Sequence, residues 1–151
     1  MMRSPVAVLA LVMVICGGPS WAEQRFVEHV IIPAERGGEF VLGHYGTAMG
    51  PHWTPIEAQV RALEAGLPAY LARAAPAASR LRQGLAGYRA QYIGIVRDGR
   101  QVVFANWFCD ALGTDWRQRP VIVDDGGDCF FQVEYDPSGG TYVHLMINGN
   151  G

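Results

Sequence analysis

The chain has 151 residues, of which half are hydrophobic, 11% are aromatic and 17% are charged. This length suits one domain, and the apolar content excludes a disordered chain, which lacks apolar surface to bury. The formal net charge of −2 argues against a nucleic-acid partner held by a basic field.

The first segment of the chain has the layout of a secretory signal peptide. Arg3 gives a positive start, residues 6–16 form an uninterrupted apolar run, and Ser20 and Ala22 place small residues before a cleavage point after Ala22. The apolar run is too short for a membrane anchor, because spanning a bilayer takes about 20 apolar residues.

Cleavage at this point divides the chain into two parts. We predict that residues 1–22 are a signal peptide and that residues 23–151 form a single periplasmic or secreted domain without a transmembrane anchor. Cys16 leaves one alternative open, in which this cysteine is lipidated as in a lipoprotein.

The start of the predicted domain favours short extended segments. Residues 26–32 and 39–45 are expected to be short strands, and residues 46–53 a loop, because of their glycine and proline content.

The next segment predicts a long amphipathic helix. Residues 54–57, Thr-Pro-Ile-Glu, form a capping box with proline at the first helical position. Apolar residues follow at helical spacing: Ile56, Val60, Leu63, Leu67, Leu71 and Ala74. Pro68 predicts a kink or restart near Leu67, and residues 79–85 are expected to add a helical turn.

From Tyr88 the hydrophobic pattern changes to a period of two, which is typical of strands. Asp98 and Gly99 indicate a tight hairpin, because primed turns require positive φ. The predicted strands are residues 88–96, 101–109, 120–123, 129–135 and 141–147.

These elements predict an α+β fold, in which one amphipathic helix packs on a four- to five-stranded antiparallel meander. This order resembles the cystatin-like superfold over roughly residues 39–147. Gln101 and Val103 are similar to the Gln-x-Val-x-Gly segment of cystatin inhibitors, with Ala105 in place of the glycine. The resemblance implies inhibition of cysteine proteases as one alternative function.

A second resemblance covers scattered polar positions. The chain resembles small exported bacterial proteins of unknown function, and this resemblance implies no activity. It rests on Gln91-Tyr92, Gly94, Asn106, Asp125-Gly126-Gly127, residues 131–136 and Asn148-Gly149.

Two cysteines, Cys109 and Cys129, remain after cleavage. An even number in an oxidising compartment predicts a disulfide, which would exclude a nucleophilic role for either sulfur. Two buried free thiols are the alternative.

No pattern of catalytic, metal-binding or cofactor-binding residues stands out. The histidines are too widely spaced for a typical zinc site. Asp124, Asp125 and Asp128 lie within five residues, which fits either a solvated turn or a Ca²⁺ site. We therefore expect no cofactor.

The remaining candidates point to recognition. Trp107, Trp116, Gln132 and His144 form the candidate binding surface, because exposed aromatic side chains bury large areas on binding. Core packing is the competing interpretation of Trp107, as it is of Trp53. The leading hypothesis is an exported non-enzymatic module that binds an unknown protein or small ligand. One alternative is a small envelope enzyme that uses His44, His144 or the aspartates as acid or base.

Overall fold

The computed structural model describes residues 27–46 and 50–149. The predicted signal peptide, its cleavage point after Ala22 and the lipidation alternative at Cys16 lie outside the described residues. Within that part of the chain, no helix is both long enough and apolar enough to cross a membrane.

In residues 27–46 and 50–149, the fold comprises two α-helices and six strands. The helices are α1, Gly37–Tyr45, and α2, Glu57–Ala74. The strands are β1, Glu28–Ile32; β2, His52–Trp53; β3, Arg89–Arg97; β4, Arg100–Phe108; β5, Phe130–Asp136; and β6, Thr141–Ile147. Short 3-10 turns occur at Ala34–Arg36, Leu81–Gln83 and Gly127–Cys129.

The six strands form one mixed sheet in the order β1-β3-β4-β5-β6, and β2 also pairs with β3. Strand β1 is parallel to β3, whereas the other pairings are antiparallel. The α+β class is thus confirmed. The expectation of one helix on a purely antiparallel sheet is wrong, because the fold has a second helix and a parallel strand.

The second helix is α1, where residues 39–45 were expected to be a strand. Phe40 and Val41 are adjacent in sequence, and both are fully buried against the sheet. Strict alternation across a strand would turn one of them away from it. The helix ends at Gly46, whose φ of 70° is the left-handed conformation that glycine adopts readily.

Helix α2 covers one face of the sheet, which we call the first face. Its buried residues Val60, Leu63, Leu67 and Leu71 pack in one cluster with sheet residues that include Tyr92, Ala105, Trp107, Phe131 and Val133. Each large side chain buried in this way contributes about 1.5–3 kcal/mol before entropy is subtracted. Burial of these side chains therefore stabilises the packing of α2 on the sheet.

The N-terminus of α2 and its path through Pro68 differ from the sequence expectation. Ile56 is the N-cap residue, its N–H donates to Gln59 Oε1 at 3.0 Å, and its side chain is largely exposed. The hydroxyl of Thr54, the expected cap, instead accepts from the backbone N–H of Ala34 at 2.9 Å. The helix continues through Pro68 as one element, without a restart.

The opposite side of the sheet, the second face, is covered by α1 and by the segment 109–126. Phe40 and Val41 of α1 pack on Ile93, Ile95 and Phe104. Trp116 and Val121 of the segment pack on Phe108 and Phe130. Much of the sheet is therefore buried on both sides.

The hairpin and the disulfide are both confirmed. Asp98 and Gly99 have φ values of 50° and 74°, as a primed turn requires. Cys109 and Cys129 form a disulfide, with their Cα atoms 5.1 Å apart, at the end of β4 and the start of β5. The disulfide links the first residue of the segment 109–126 to Cys129, which follows the segment. The predicted strand at residues 120–123 is wrong, since this part of the segment has no strand pairing.

Candidate functional site

The four residues of the predicted binding surface do not lie on one exposed face. Trp107 is fully buried beneath α2 on the first face. Trp116 is 6% exposed and packs edge-on against Phe108, while Gln132 is 3% exposed. Only His144, on β6, is exposed. Both tryptophan rings serve packing, so neither presents its ring for recognition.

Gln132 belongs instead to a row of three buried side-chain amides on the second face. Gln91, Asn106 and Gln132 lie directly opposite one another on β3, β4 and β5. Asn106 Nδ2 donates to Gln91 Oε1, and Gln132 Nε2 donates to Asn106 Oδ1, both at 3.1 Å. We call these three residues the amide row.

The amide row fastens the segment 109–126 to the sheet. Gln91 Nε2 donates to the carbonyl oxygens of Trp116 and Arg119, at 2.5 and 2.7 Å. Asn106 Nδ2 donates to Val121 O at 2.8 Å, and the N–H of Val121 donates to Gln91 Oε1 at 3.2 Å. The row therefore supplies the hydrogen bonds that a neighbouring strand would otherwise give to this irregular backbone.

One oxygen atom of the amide row has no hydrogen-bond partner. Gln132 Oε1 is buried and has no hydrogen-bond partner. Gln132 also lines a cavity of about 280 Å³ on the second face, which we call the His44–Gln132 cavity. Its lining residues are Gly43, His44, Ile122, Val123, Asp124, Gln132, Met146, Ile147, Asn148 and Gly149.

His44, which lines the same cavity, also has an unpartnered polar atom. Its Nε2 is buried without a hydrogen-bond partner, and its ring lies 5.3 Å from the ring of Phe104. Burial lowers the pKa of His44 to about 4, because a low-dielectric environment disfavours the charged form. The imidazole is therefore neutral at pH 7 and can accept or donate a hydrogen bond at Nε2.

Gly43 allows α1 to pack closely against Ile122 at the edge of the cavity. A Cβ at Gly43 would overlap the side chain of Ile122, so glycine allows α1 to lie close against the segment 109–126. The cavity wall is thereby built from four parts of the chain: α1, residues 122–124, Gln132 of β5 and residues 146–149.

The three clustered aspartates are not equivalent. Asp124 lines the His44–Gln132 cavity, whereas Asp128 Oδ2 accepts from the backbone N–H of Arg80 at 2.7 Å. Among residues 27–46 and 50–149, no group of three histidines, cysteines or carboxylates is arranged to hold a metal ion.

His144 lines a different cavity, of about 210 Å³, beside a buried ion pair. Arg97 donates to Glu134 from Nε and Nη2, at 2.6 and 2.5 Å, and the hydroxyl of Tyr45 also donates to Glu134. Burial and this contact with Glu134 raise the pKa of the Tyr45 hydroxyl. The Glu134 carboxylate is thus already occupied by Arg97 and Tyr45.

A further histidine–carboxylate cluster joins β1 to α2, and the sequence analysis did not identify it. His29 Nδ1 lies 3.0 Å from Glu64 Oε1, and His29 Nε2 lies 3.3 Å from Glu57 Oε2. The hydroxyl of Tyr92 donates to Glu64 Oε1 at 2.9 Å. The signal available was Glu64 itself, since it is a charged residue next to the apolar stripe of α2.

This cluster predicts a pH-dependent contribution to stability. The hydrogen bond with Glu64 raises the pKa of His29 above its ordinary value of 6.5, against the opposing effect of burial. The stabilisation is therefore fully present below the unfolded-state pKa and is lost as the pH rises through the folded-state pKa. Denaturant titrations should show that His29→Gln lowers the free energy of unfolding by about 1 kcal/mol at about pH 5.5, and by less at about pH 9.

The exposed His144 provides the matched control for this measurement. His144→Gln should change the free energy of unfolding by less than about 0.5 kcal/mol at either pH, as exposed substitutions usually do. If the effect of His29→Gln were the same at both pH values, the charged state of His29 would have no part in holding β1 to α2.

Comparison of the chain with known protein families, with characterised proteins and with solved structures found no match. We therefore infer the function from the geometry of the site.

Proposed function

We propose that this chain is an exported, non-enzymatic binding protein that takes a small polar ligand in the His44–Gln132 cavity. The observation that carries this proposal is that two residues lining one cavity, Gln132 and His44, each have a buried polar atom without a partner, Oε1 and Nε2. An unsatisfied buried polar group costs about 1–3 kcal/mol. A ligand that hydrogen-bonds both atoms would recover this free energy.

The amide row supports this interpretation. Gln132 Nε2 is engaged by Asn106, so the glutamine side chain is held in place before any ligand arrives. A preorganised acceptor loses little conformational entropy on binding. The volume of about 280 Å³ is just below the range for drug-sized ligands, which begins at about 300 Å³, so the cavity suits a small ligand.

The enzyme alternative has weaker support at His44 and His144, the two histidines that the sequence suggests for it. A general base is usually oriented by a hydrogen bond to a carboxylate or a similar group. In the described part of the chain, no hydrogen bond joins His44 to a carboxylate, and the carboxylate nearest His144 along the sheet is occupied by Arg97 and Tyr45. Both histidines therefore lack the second group of a catalytic pair.

The inhibitor alternative is also weaker. Val103 and Ala105 of the cystatin-like segment are fully buried beneath α2, so they are not available to enter the cleft of a protease. A cystatin-like fold remains a proposal that rests on α2 and the strands β3 to β6. The disulfide is compatible with the proposed export, since disulfides persist in oxidising compartments.

The proposal is tested with small fragments in NMR titrations of the protein. Acetamide, urea, glycerol and ethylammonium serve as probes, with millimolar affinity expected for ligands of this size. At least one probe should shift the signals of the Gln132 side-chain amide and of His44. Gln132→Met should weaken that binding about tenfold, because the ligand loses one buried hydrogen bond.

Two further variants make the test specific. Gln101 is an exposed glutamine on β4, and Gln101→Met should leave binding unchanged. Ile122 is exposed at the cavity wall, so Ile122→Trp should block the cavity without touching the amide row. Failure of every probe to shift these signals, or equal binding by the Ile122→Trp variant, would contradict the proposal.

A further inference from the structure

We infer that the ligand of the His44–Gln132 cavity is an alkylammonium or alkylguanidinium group, a cation that carries several N–H donors on an apolar stem. This inference rests on the proposed function and specifies its ligand. It follows from the balance of donors and acceptors in the lining, from the charge of the lining and from the position of its apolar residues.

The lining has an unpaired acceptor, and three of the four side-chain amide protons of Asn148 and Gln132 are already donated. Asn148 Nδ2 donates to the carbonyl oxygens of both Val123 and Asp125, and an amide nitrogen has only two protons. Gln132 Nε2 donates to Asn106, whereas Gln132 Oε1 has no partner. A ligand that satisfies Gln132 Oε1 must therefore donate a hydrogen bond.

The charge of the lining has one sign. Among the described residues that line the cavity, Asp124 is the one carboxylate and none is an arginine or a lysine. Neutral His44 adds a ring nitrogen that can accept, because burial keeps it unprotonated. An anionic ligand would meet a carboxylate without a compensating cation, whereas an ammonium or guanidinium group gains charge-assisted hydrogen bonds.

The apolar residues of the lining suit an alkyl stem. Ile122 and Met146 are exposed, and both line the cavity. A stem of a few methylene groups would bury against these side chains while its head reaches the acceptors. Long cationic groups commonly bury their stems in this way. The same chemistry is offered by a free polyamine and by a lysine or arginine side chain of a partner protein.

The experiment compares probes of equal shape and different charge: n-butylammonium, 1-butanol and butyrate. Isothermal titration or NMR should show that n-butylammonium binds at least about threefold more tightly than 1-butanol, which is the effect expected of a partly exposed ion pair. Butyrate should not bind. Asp124→Asn should reduce the affinity for n-butylammonium about threefold and leave that for 1-butanol unchanged.

The neighbouring aspartate provides the control. Asp125 is exposed and is not in the lining, so Asp125→Asn should leave the affinity for n-butylammonium unchanged. A lysine residue capped at both ends distinguishes the two sources. Equal binding of the capped lysine and n-butylammonium supports recognition of a protein side chain, and binding of n-butylammonium alone supports a free amine.

The failure of this inference can be told apart from the failure of the proposed function. If 1-butanol or urea binds at the cavity as tightly as n-butylammonium, the inference about the cation is overturned while the cavity remains a binding site. If no probe of any charge binds, both are overturned.

Discussion

Asn106→Leu is expected to lower the free energy of unfolding by about 4 kcal/mol. Asn106 sits at the centre of the amide row, where it donates to Gln91 Oε1 and Val121 O and accepts from Gln132 Nε2. Leucine would leave Val121 O and Gln132 Nε2 buried without partners, at about 1–3 kcal/mol each. Urea denaturation measures this loss, which is a large part of the stability of a typical domain.

Hydrogen exchange gives a second measurement of the same substitution. The N–H of Val121 donates to Gln91 Oε1, and Asn106 helps to hold that oxygen in place. Exchange at Val121 should therefore accelerate in the Asn106→Leu variant. Gln101→Leu, at an exposed position on the same strand, should change the free energy of unfolding by less than about 0.5 kcal/mol. A similar small effect at Asn106 would show that the amide row does not stabilise the segment 109–126.

The amide row also explains what the sequence could and could not predict. The period of two placed β3 to β6 within a residue or two, because each strand alternates or is continuously apolar. The segment 109–126 could not be derived in this way. Its backbone is held by side chains that lie far away along the chain, such as Gln91, and no local pattern encodes such contacts.

The predicted fold lacked the layer that covers the second face of the sheet. Ile93, Ile95, Val102 and Phe104 make the two central strands apolar on both sides, and a continuously apolar strand indicates cover on both faces. The short run that forms α1 was ambiguous, since apolar runs of this length fit either a strand or a helix. Recognising the double cover would have favoured a helix at α1.

In the candidate site, too, the sequence indicated individual residues but not how they come together. Gln132 was selected from the sequence as part of a binding surface, and His44 as a possible acid or base. The cavity that joins them is built from α1, residues 122–124, β5 and residues 146–149. Only the tertiary packing brings these four segments together, so no pattern in the sequence indicates that His44 and Gln132 line one cavity.

Arg97→Met is expected to lower the free energy of unfolding by about 3 kcal/mol, because it leaves a buried carboxylate without its cation. Glu134 is fully buried and receives two hydrogen bonds from Arg97 and one from Tyr45. The value is at the lower end for buried pairs, because 35% of the Arg97 side chain is exposed. Thermal and urea denaturation at neutral pH measure the loss.

The double variant Arg97→Met with Glu134→Met separates the lost attraction from the isolated charge. Since the double variant removes the buried charge as well, it should be more stable than Arg97→Met alone. Arg100 lies on the same hairpin, is mostly exposed and is 3.8 Å from Asp136. Arg100→Met should therefore cost less than about 1 kcal/mol. If the double variant were less stable than Arg97→Met alone, Glu134 would stabilise the fold through contacts other than its ion pair with Arg97.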